Sequence, residues 1–121
     1  MGFQGLFRIP ATVLCPKAPA DATVIPLYHA QVKSVVKSIS LIPGGDMDKS
    51  AEAAAKLTIM DGETQVAELD SAVAAWAANT PQTFVLSEDC VLDAGDVLTL
   101  VITVTGTPTI PAYMIQCGLC F

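Results

Sequence analysis

The sequence predicts an all-β protein: a single-domain antiparallel β-sandwich, jelly-roll-like, with one short helical turn near residues 70–79. Short segments of alternating apolar and polar side chains follow one another at a spacing of roughly 10–15 residues, and Gly, Pro and Asp residues separate them. The clearest segment places four aliphatic side chains on one side and threonines on the other, which is the period of two that a half-buried strand needs. These aliphatic residues are Leu98, Leu100, Ile102 and Val104.

The first third of the chain contains three predicted extended segments. Residues 7–15 alternate, and Pro10, which has no N–H to donate, places this strand at a sheet edge. Residues 23–28 form a short extended piece. Residues 32–42 fit helical spacing and also strand spacing, in which Lys37 intrudes on the apolar face. Their β-branched and Ser content favours a strand that contains a bulge.

A β-hairpin is predicted over residues 56–69 because Asp-Gly between two alternating segments is a strong hairpin signal. With Asp61 and Gly62 as the two turn residues, Leu57 lies opposite Val66 on the core side of the sheet.

Two stretches have the composition of a helical turn. Residues 47–55 are polar and then rich in Ala. Residues 70–79 are the one helix-like stretch, in which Asp70 or Ser71 can act as the N-cap. At helical spacing, three side chains share the inner face of this turn. They are Val73, Trp76 and Ala77.

The last third of the chain predicts three strands separated by turns. Residues 82–86 form a strand with Phe84 and Leu86 on one side, and residues 93–96 form the turn before the strand that contains Leu100. The last strand carries one apolar face, made of Tyr113, Ile115, Cys117, Leu119 and Phe121.

Composition narrows the classes of function. Only 15% of the residues are charged, whereas about 25% is typical of soluble domains. Either much of the surface is apolar and covered by a partner, or it is rich in Thr, Ser and Ala, and both suit a protein that works inside an assembly. The net charge of −6 argues against binding to nucleic acid, which requires a basic face. Neither a signal peptide nor a membrane-spanning apolar run is apparent. We therefore expect no membrane contact, and a chain folded in a cytosol with reduced thiols.

The four cysteines do not have the spacing of a known metal or redox site. Cys117 and Cys120 form a C-x-x-C, but on a strand they point to opposite faces and lack the helix N-terminus that activates a redox pair. A zinc site would also need Cys15 and Cys90, at spacings unlike those of a zinc ribbon or knuckle. We interpret these residues as buried thiols and expect no metal and no cofactor.

The remaining polar residues also have structural interpretations. His29 is the only histidine and is interpreted as a residue in a loop or at a strand end. The loop aspartates lack the EF-hand spacing and fit turn and capping roles. No nucleophile, base and orienting residue can be assigned together, so we expect no catalytic residues and no enzyme activity.

Trp76 has two interpretations. With Tyr28 and Tyr113 it could form a carbohydrate-binding platform on a surface-displayed module, and its side chain would then be exposed. Alternatively, it plugs one end of the sandwich core, which is the interpretation that we prefer.

Several stretches of the chain resemble small tailed-phage structural proteins of the capsid decoration (cement) or head-fibre type. The turn and strand Ala-Gly-Asp-Val-Leu-Thr at residues 94–99 is the main part of this resemblance. The other matching pieces are Ser40–Pro43, Leu57–Ile59, Asp61-Gly62, Trp76, Thr80-Pro81, Phe84–Leu86, Gly106–Pro108 and Pro111-Ala112.

The resemblance implies a non-enzymatic virion protein, assembled in the host cytoplasm and located on the capsid exterior. Such a protein would form a homo-oligomer, expected to be a trimer, and would bind and reinforce the lattice of the major capsid protein. Within a single domain over residues 1–121, residues 1–6 would form a docking arm. We expect Phe3, Leu6 and Phe7 to contact the partner. The alternatives are a carbohydrate-recognising module and, third, an enzyme with a cleft of perturbed titrating groups.

Overall fold

The protein is all-β, as the sequence predicts. The computed structural model describes residues 8–15, 23–86 and 90–120, with side chains described from Val24 onward. Ten strands lie within these residues. They are β1 (Arg8–Cys15), β2 (Thr23–His29), β3 (Ser34–Pro43), β4 (Ala54–Asp61), β5 (Thr64–Asp70), β6 (Gln82–Thr83), β7 (Val85–Leu86), β8 (Cys90–Leu92), β9 (Val97–Thr105) and β10 (Tyr113–Cys120).

The strands form two antiparallel sheets that pack as a sandwich. The first sheet has the order β1-β10-β3-β6, with β8 also paired to β3, and the second has the order β2-β9-β4-β5-β7. In chain order, the first strand pairs with the last, and the pairing continues inward. The pairs are β1 with β10, β2 with β9, β3 with β8, and β4 with β5. This is the pairing scheme of a jelly roll, in which a long antiparallel ribbon wraps around one core.

Strand β9 is an interior strand of the second sheet, as its alternation predicts. It pairs with β2 on one side and β4 on the other. The side chains of Leu98, Leu100 and Ile102 are fully buried, and Val104 packs against the same core.

The predicted bulge in β3 forms at Lys37. The register with β10 passes from the Val36–Leu119 pair to the Ser38–Gly118 pair, which leaves Lys37 without a partner in that strand. Because one extra residue reverses the alternation, the buried positions of β3 change from even to odd residue numbers. The buried residues of β3 are Ser34, Val36, Ile39, Leu41 and Pro43.

The predicted hairpin is present, but its turn lies one residue later along the chain, and a register shift between Ile59 and Met60 moves the pairing further. Asp61 pairs with Thr64, so the two turn residues are Gly62 and Glu63, and Leu57 lies opposite Leu69 rather than Val66. Gly62 has a φ of 62°, whereas Glu63 is not among the residues of positive φ. A type II′ hairpin requires a positive φ at the first turn residue alone. The sequence prediction has Gly62 as the second turn residue.

The predicted helical turn near residues 70–79 is wrong, and no helical turn forms at 47–55 either. The main chains of Met47 and Trp76 exchange two hydrogen bonds, with N···O distances of 3.0 and 2.8 Å. An extended bridge at Trp76 is incompatible with helical backbone at the same residue. Val73, predicted to lie on the inner face, is exposed, while Trp76 is buried. Asp70 caps a turn rather than a helix, because its side chain accepts a hydrogen bond from the N–H of Ala72.

The predicted strand over residues 82–86 is divided between the two sheets. Residues of β6 pair with β3 in the first sheet, and residues of β7 pair with β5 in the second. Phe84 lies between them, buried, and its N–H donates to the carbonyl of Ile39 at 2.9 Å. Phe84 is therefore the point at which the chain crosses from one sheet to the other, and Leu86 belongs to the second sheet.

The sandwich has two different ends. One end, here called the loop end, carries loops 44–53, 71–81 and 106–112. The opposite end, here called the turn end, carries the short connections 30–33, 62–63 and 93–96. Main-chain hydrogen bonds of Ala30 with Gly95 and Asp96 tie the turn end together.

The outermost strands offer few free main-chain groups. Pro10 interrupts β1 and Pro26 interrupts β2, while β6, β7 and β8 have only two or three residues each. Prolines and short edge strands disfavour the addition of a further strand. Contacts with other proteins are therefore better served by the faces of the sheets than by their edges. No segment within the described residues forms a helix with the length and hydropathy that a membrane crossing needs.

Candidate interaction surface

Among the strands of the first sheet whose side chains are described, the outer face is almost free of charge. Strands β3, β6, β8 and β10 contain one charged residue, Lys37 at the bulge, and no acidic residue. The residues that alternate with the buried ones in these strands are small, apolar or uncharged. We call this surface the neutral face, made of Val35, Ser38, Ser40, Ile42, Thr83, Val91, Met114, Gln116 and Gly118.

Charged side chains lie elsewhere on the described part of the molecule. The second sheet carries an ion pair between Lys56 and Glu68 at 2.9 Å, with both side chains substantially exposed. The other described carboxylates lie at the two ends of the sandwich. They are Asp46, Asp48, Glu52 and Asp70 at the loop end and Asp61, Glu63, Asp93 and Asp96 at the turn end.

The carboxylates at the turn end are close enough to repel one another. Burial raises the pKa of Asp61, and the nearby charges of Asp96 and Asp93 raise it further. Asp96 also accepts the N–H of Asp93 at 2.9 Å, which closes the turn before β9. These groups therefore have a structural role in the turn, as the sequence predicts, and they place negative charge away from the neutral face.

An apolar pocket of about 300 Å³ opens where the neutral face meets the loop end. Two of its lining side chains, Ile42 and Met114, belong to the neutral face itself. The lining residues are Ile42, Pro43, Gly44, Asn79, Ala112, Tyr113 and Met114. None of these residues is charged, so the pocket suits an apolar side chain of another protein.

Main-chain hydrogen bonds hold the rim of this pocket in place. The N–H of Asn79 donates to the carbonyl of Pro43, and the N–H of Gly44 donates to the carbonyl of Ala112, each at 2.8 Å. Asn79 has a φ of 59°, a left-handed conformation that Asn tolerates better than most residues. The pocket is thus built by loop 71–81 docking against the ends of β3 and β10.

A second cleft, of about 380 Å³, lies at the loop end and is polar. Two of its polar side chains, Asp46 and Ser50, fix the loops. Asp46 accepts the N–H of Ala78 at 2.8 Å, and the Ser50 hydroxyl accepts the N–H groups of Glu52 and Ala53 at 3.2 and 3.1 Å.

The cysteines with described side chains are buried and free. Cys90, Cys117 and Cys120 form no disulfide, and burial raises the pKa of the Cys90 and Cys117 thiols to about 11. Cys90 on β8 and Cys117 on β10 both lie on strands that flank β3, so a whole strand separates them. At the usual strand spacing of about 4.8 Å, this separation exceeds what a disulfide spans. Within the described residues, no group of three His, Cys, Asp or Glu side chains has the arrangement of a metal site.

The two other candidate residues from the sequence, His29 and Trp76, have the structural roles that we prefer for them. His29 is the last residue of β2, is exposed, and is hydrogen-bonded to the Gln31 side chain at 2.9 Å. Trp76 is only 2% exposed and packs edge-on against Tyr113, with ring centroids 6.0 Å apart. A carbohydrate platform requires an exposed indole, so the platform interpretation of Trp76 is wrong and the core-plug interpretation is confirmed.

The predicted partner-binding residues Phe3, Leu6 and Phe7 lie outside the described residues, as do residues 1–6, the predicted docking arm. The pocket at the loop end was not predicted from the sequence. Its one signal was the alternation itself, because Ile42 and Met114 are apolar residues on the outward side of predicted strands. Asn79 could not be assigned to it, since its position depends on the loop conformation.

Comparisons with known proteins leave the family open. No protein-family model matches the sequence, and the search of curated proteins gives no match. Among solved structures, the fold is similar to a chain in a structure of the infectious bursal disease virus Gx strain, with a TM-score of 0.36 and 14% sequence identity. The similarity covers 93% of this chain and 32% of that chain, so this chain spans only part of its length. A similarity at this level carries no argument about function.

Proposed function

We propose that this protein is a virion structural protein that decorates and reinforces a phage capsid by binding the lattice of the major capsid protein. The observation that carries the proposal is the neutral face, a sheet surface whose described side chains include no acidic residue, on a chain whose net charge is −6. The desolvation free energy of such a surface is small, since no carboxylate has to leave water when a partner covers it.

The fold supports this proposal without deciding it. Jelly rolls occur in viral capsid proteins, and they also occur in lectins and cupins. What favours the capsid class is the distribution of polar groups. In the polar cleft at the loop end, Asp46 and Ser50 hold the loops of the cleft itself, and Trp76 is buried, so the indole expected to stack on a sugar is not exposed.

The prolines and short strands at the sheet edges indicate which surface would contact the capsid. Because β1 and β2 contain prolines and the other outer strands are short, strand addition is a poor route to a capsid. A face-to-face contact uses side chains instead. A standard-size interface covers about 800 Å² on each partner, which is within the reach of one face of a sheet of this size.

The proposal also includes the finer expectations from the resemblance. The protein would assemble in the host cytoplasm, lie on the capsid exterior and form a homo-oligomer, as a trimer. Residues 1–6, with Phe3, Leu6 and Phe7 as contact residues, would act as an additional docking arm. Deletion of residues 2–7 would then reduce occupancy on empty capsids, and unchanged occupancy would remove the arm from the proposal.

The experiment that tests the function is quantitative mass spectrometry of purified particles. We expect the protein in a fixed ratio to the major capsid protein, retained through density-gradient purification. Recovery of the protein only in the soluble lysate, with none on the particles, would contradict the proposal.

A further inference from the structure

One cysteine on the outer face of the first sheet is buried. The odd-numbered residues of β10 from 113 to 119 belong to the core cluster, so the alternation of the strand places Cys120 on the opposite, outer face. Its partner on β3 is Val35, a residue of the neutral face. Cys120 is nevertheless only 5% exposed, and it is not among the buried residues of the core cluster. A group outside the sandwich core therefore covers this thiol.

The chain enters the first sheet directly beside Cys120. Arg8, the first residue of β1, lies opposite Cys120 in the register of β1 and β10. The seven residues that precede Arg8 span at most about 23 Å when extended. The two strand spacings from β1 across β10 to β3 add up to about 10 Å. Residues 1–7 are thus attached beside Cys120 and are long enough to cross the outer face to Val35.

Residues 1–7 have the composition of a segment that covers an uncharged surface. None of their side chains is charged, and three of them are large and apolar, namely Phe3, Leu6 and Phe7. The surface beside Cys120 is formed by Val35 and Gly118, which are also uncharged. Neither side would lose a charge–water interaction when the segment covers the sheet.

The two internal segments outside the described residues are less suited to cover this thiol. Residues 16–22 follow Cys15, which lies at the loop end, whereas Arg8 lies at the other end of β1. Residues 87–89 contain two carboxylates, which would have to leave water to cover an apolar corner. Attachment point and composition together single out residues 1–7.

We propose that residues 1–7 lie over the first sheet of their own chain and cover the corner of its outer face formed by Cys120 and Val35. This inference rests on the proposed function in one respect, because the segment contains the proposed docking arm. In this position the arm and the neutral face present one continuous surface to the capsid lattice. Val91, on the far side of that surface, is 41% exposed and stays uncovered in the free protein.

Alkylation of the thiols in the native protein, without capsids, tests this position. Iodoacetamide is the probe, and mass spectrometry with fragmentation gives the rate of labelling at each cysteine. We expect deletion of residues 2–7 to raise the rate at Cys120 by at least about tenfold, because the thiol then no longer depends on local opening to react. Cys90 and Cys117 face the core, so their rates are expected to stay at the wild-type level and serve as internal controls.

Two substitutions test the apolar contact at unchanged chain length. Leu6→Asp places a carboxylate on an apolar residue of the segment, and it is expected to raise the labelling rate at Cys120 as the deletion does. Gln4→Asp adds the same charge at a residue that is already polar, and it is expected to leave the rate unchanged. Thermal melts check that all variants fold.

Four results would overturn the inference. An unchanged rate at Cys120 after the deletion would assign the cover to Arg8 or Phe121, which adjoin Cys120 in the sheet and in the chain. An equal rise at all three thiols would show general opening of the sandwich. Equal rates for Leu6→Asp and Gln4→Asp would exclude an apolar contact, and a wild-type rate that falls as protein concentration rises would assign the cover to a second copy. Because no capsid is present, any of these results would leave the capsid-binding proposal to its own test.

Discussion

Leu100 lies at the centre of β9 and is fully buried between the strands that carry Ile25 and Ile59. We predict that Leu100→Asp abolishes folding, because an unpaired carboxylate in this position costs several kcal/mol and the whole domain has only about 5–15 kcal/mol of stability. Thr103→Ser, at an exposed position of the same strand, is expected to be tolerated. Thermal melts decide the matter, and a cooperative transition for Leu100→Asp near that of the wild type would contradict the placement of this side chain.

Asp61 shows how one carboxylate responds to its neighbours. Its pKa in the fold is raised above the usual 3.8, first by burial and then by Asp96 and Asp93, so ionisation of Asp61 opposes folding. Stability from this group is fully present below the unfolded pKa and is lost as the pH rises through the folded one. We predict that Asp61→Asn stabilises the protein near neutral pH, by less than about 1 kcal/mol because the group is partly exposed.

Chemical unfolding at two pH values measures this effect. The gain from Asp61→Asn should disappear at about pH 3, where the carboxyl is protonated in both states, and it should shrink in high salt. A gain that is equal at both pH values would show that it comes from the hairpin turn rather than from charge.

At the scale of turns and loops, two glycines of positive φ can be compared. Gly62 and Gly106 have nearly the same backbone angle, with φ of 62° and 66°, but different surroundings. A Cβ at Gly62 would meet open space, whereas a Cβ at Gly106 would overlap the carbonyl oxygen of Glu52. Both substitutions by Ala carry the cost of a positive φ, roughly 1 kcal/mol, and only Gly106→Ala adds a steric clash with main chain.

We therefore predict that Gly106→Ala lowers the melting temperature distinctly more than Gly62→Ala. The comparison cancels the backbone term and isolates the contact between loops 44–53 and 106–112. Equal effects of the two substitutions would mean that these loops are not in contact in solution.

The elements that the sequence predicts correctly are those in which alternation is decided locally. Strands β9 and β10 follow their own pattern, and even the bulge at Lys37 is visible as an interruption of it. The failures occur where a distant contact decides the conformation. The Ala-rich stretch around Trp76 has helical composition, but pairing with Met47, 29 positions earlier in the chain, makes it extended. Likewise, residues 82–86 are divided because two different sheets offer them partners.

One part of the candidate surface could be predicted from the sequence, and another part could not. The neutral face follows from strands that contain almost no charged residues, so its existence can be read from the sequence once the strands are assigned. The pocket depends on Asn79 meeting the ends of β3 and β10, a contact between residues far apart in the chain. Local patterns contain no information about such a contact.

Considered as a whole, the molecule separates its surfaces by charge. The described carboxylates lie at the two ends and on one side of the second sheet, while the neutral face carries no charge and Lys37 lies at the bulge beside it. This separation supports the proposal that neighbours cover the neutral face, because no charged side chain of that face has to leave water. The apolar pocket then provides an anchor point at one end of that face.

Binding of the purified protein to empty capsids tests the role of the neutral face most directly, with two matched valine substitutions. Val91→Glu places a carboxylate on the neutral face, where Val91 is 41% exposed, and Val24→Glu places one on the second sheet, where Val24 is 58% exposed. Melts first establish that both variants fold. We predict that Val91→Glu weakens capsid binding by at least about tenfold, because burying an unpaired charge costs more than 1.4 kcal/mol, and that Val24→Glu binds like the wild type. Equal binding by both variants and the wild type, or no binding by the wild type, would contradict this account.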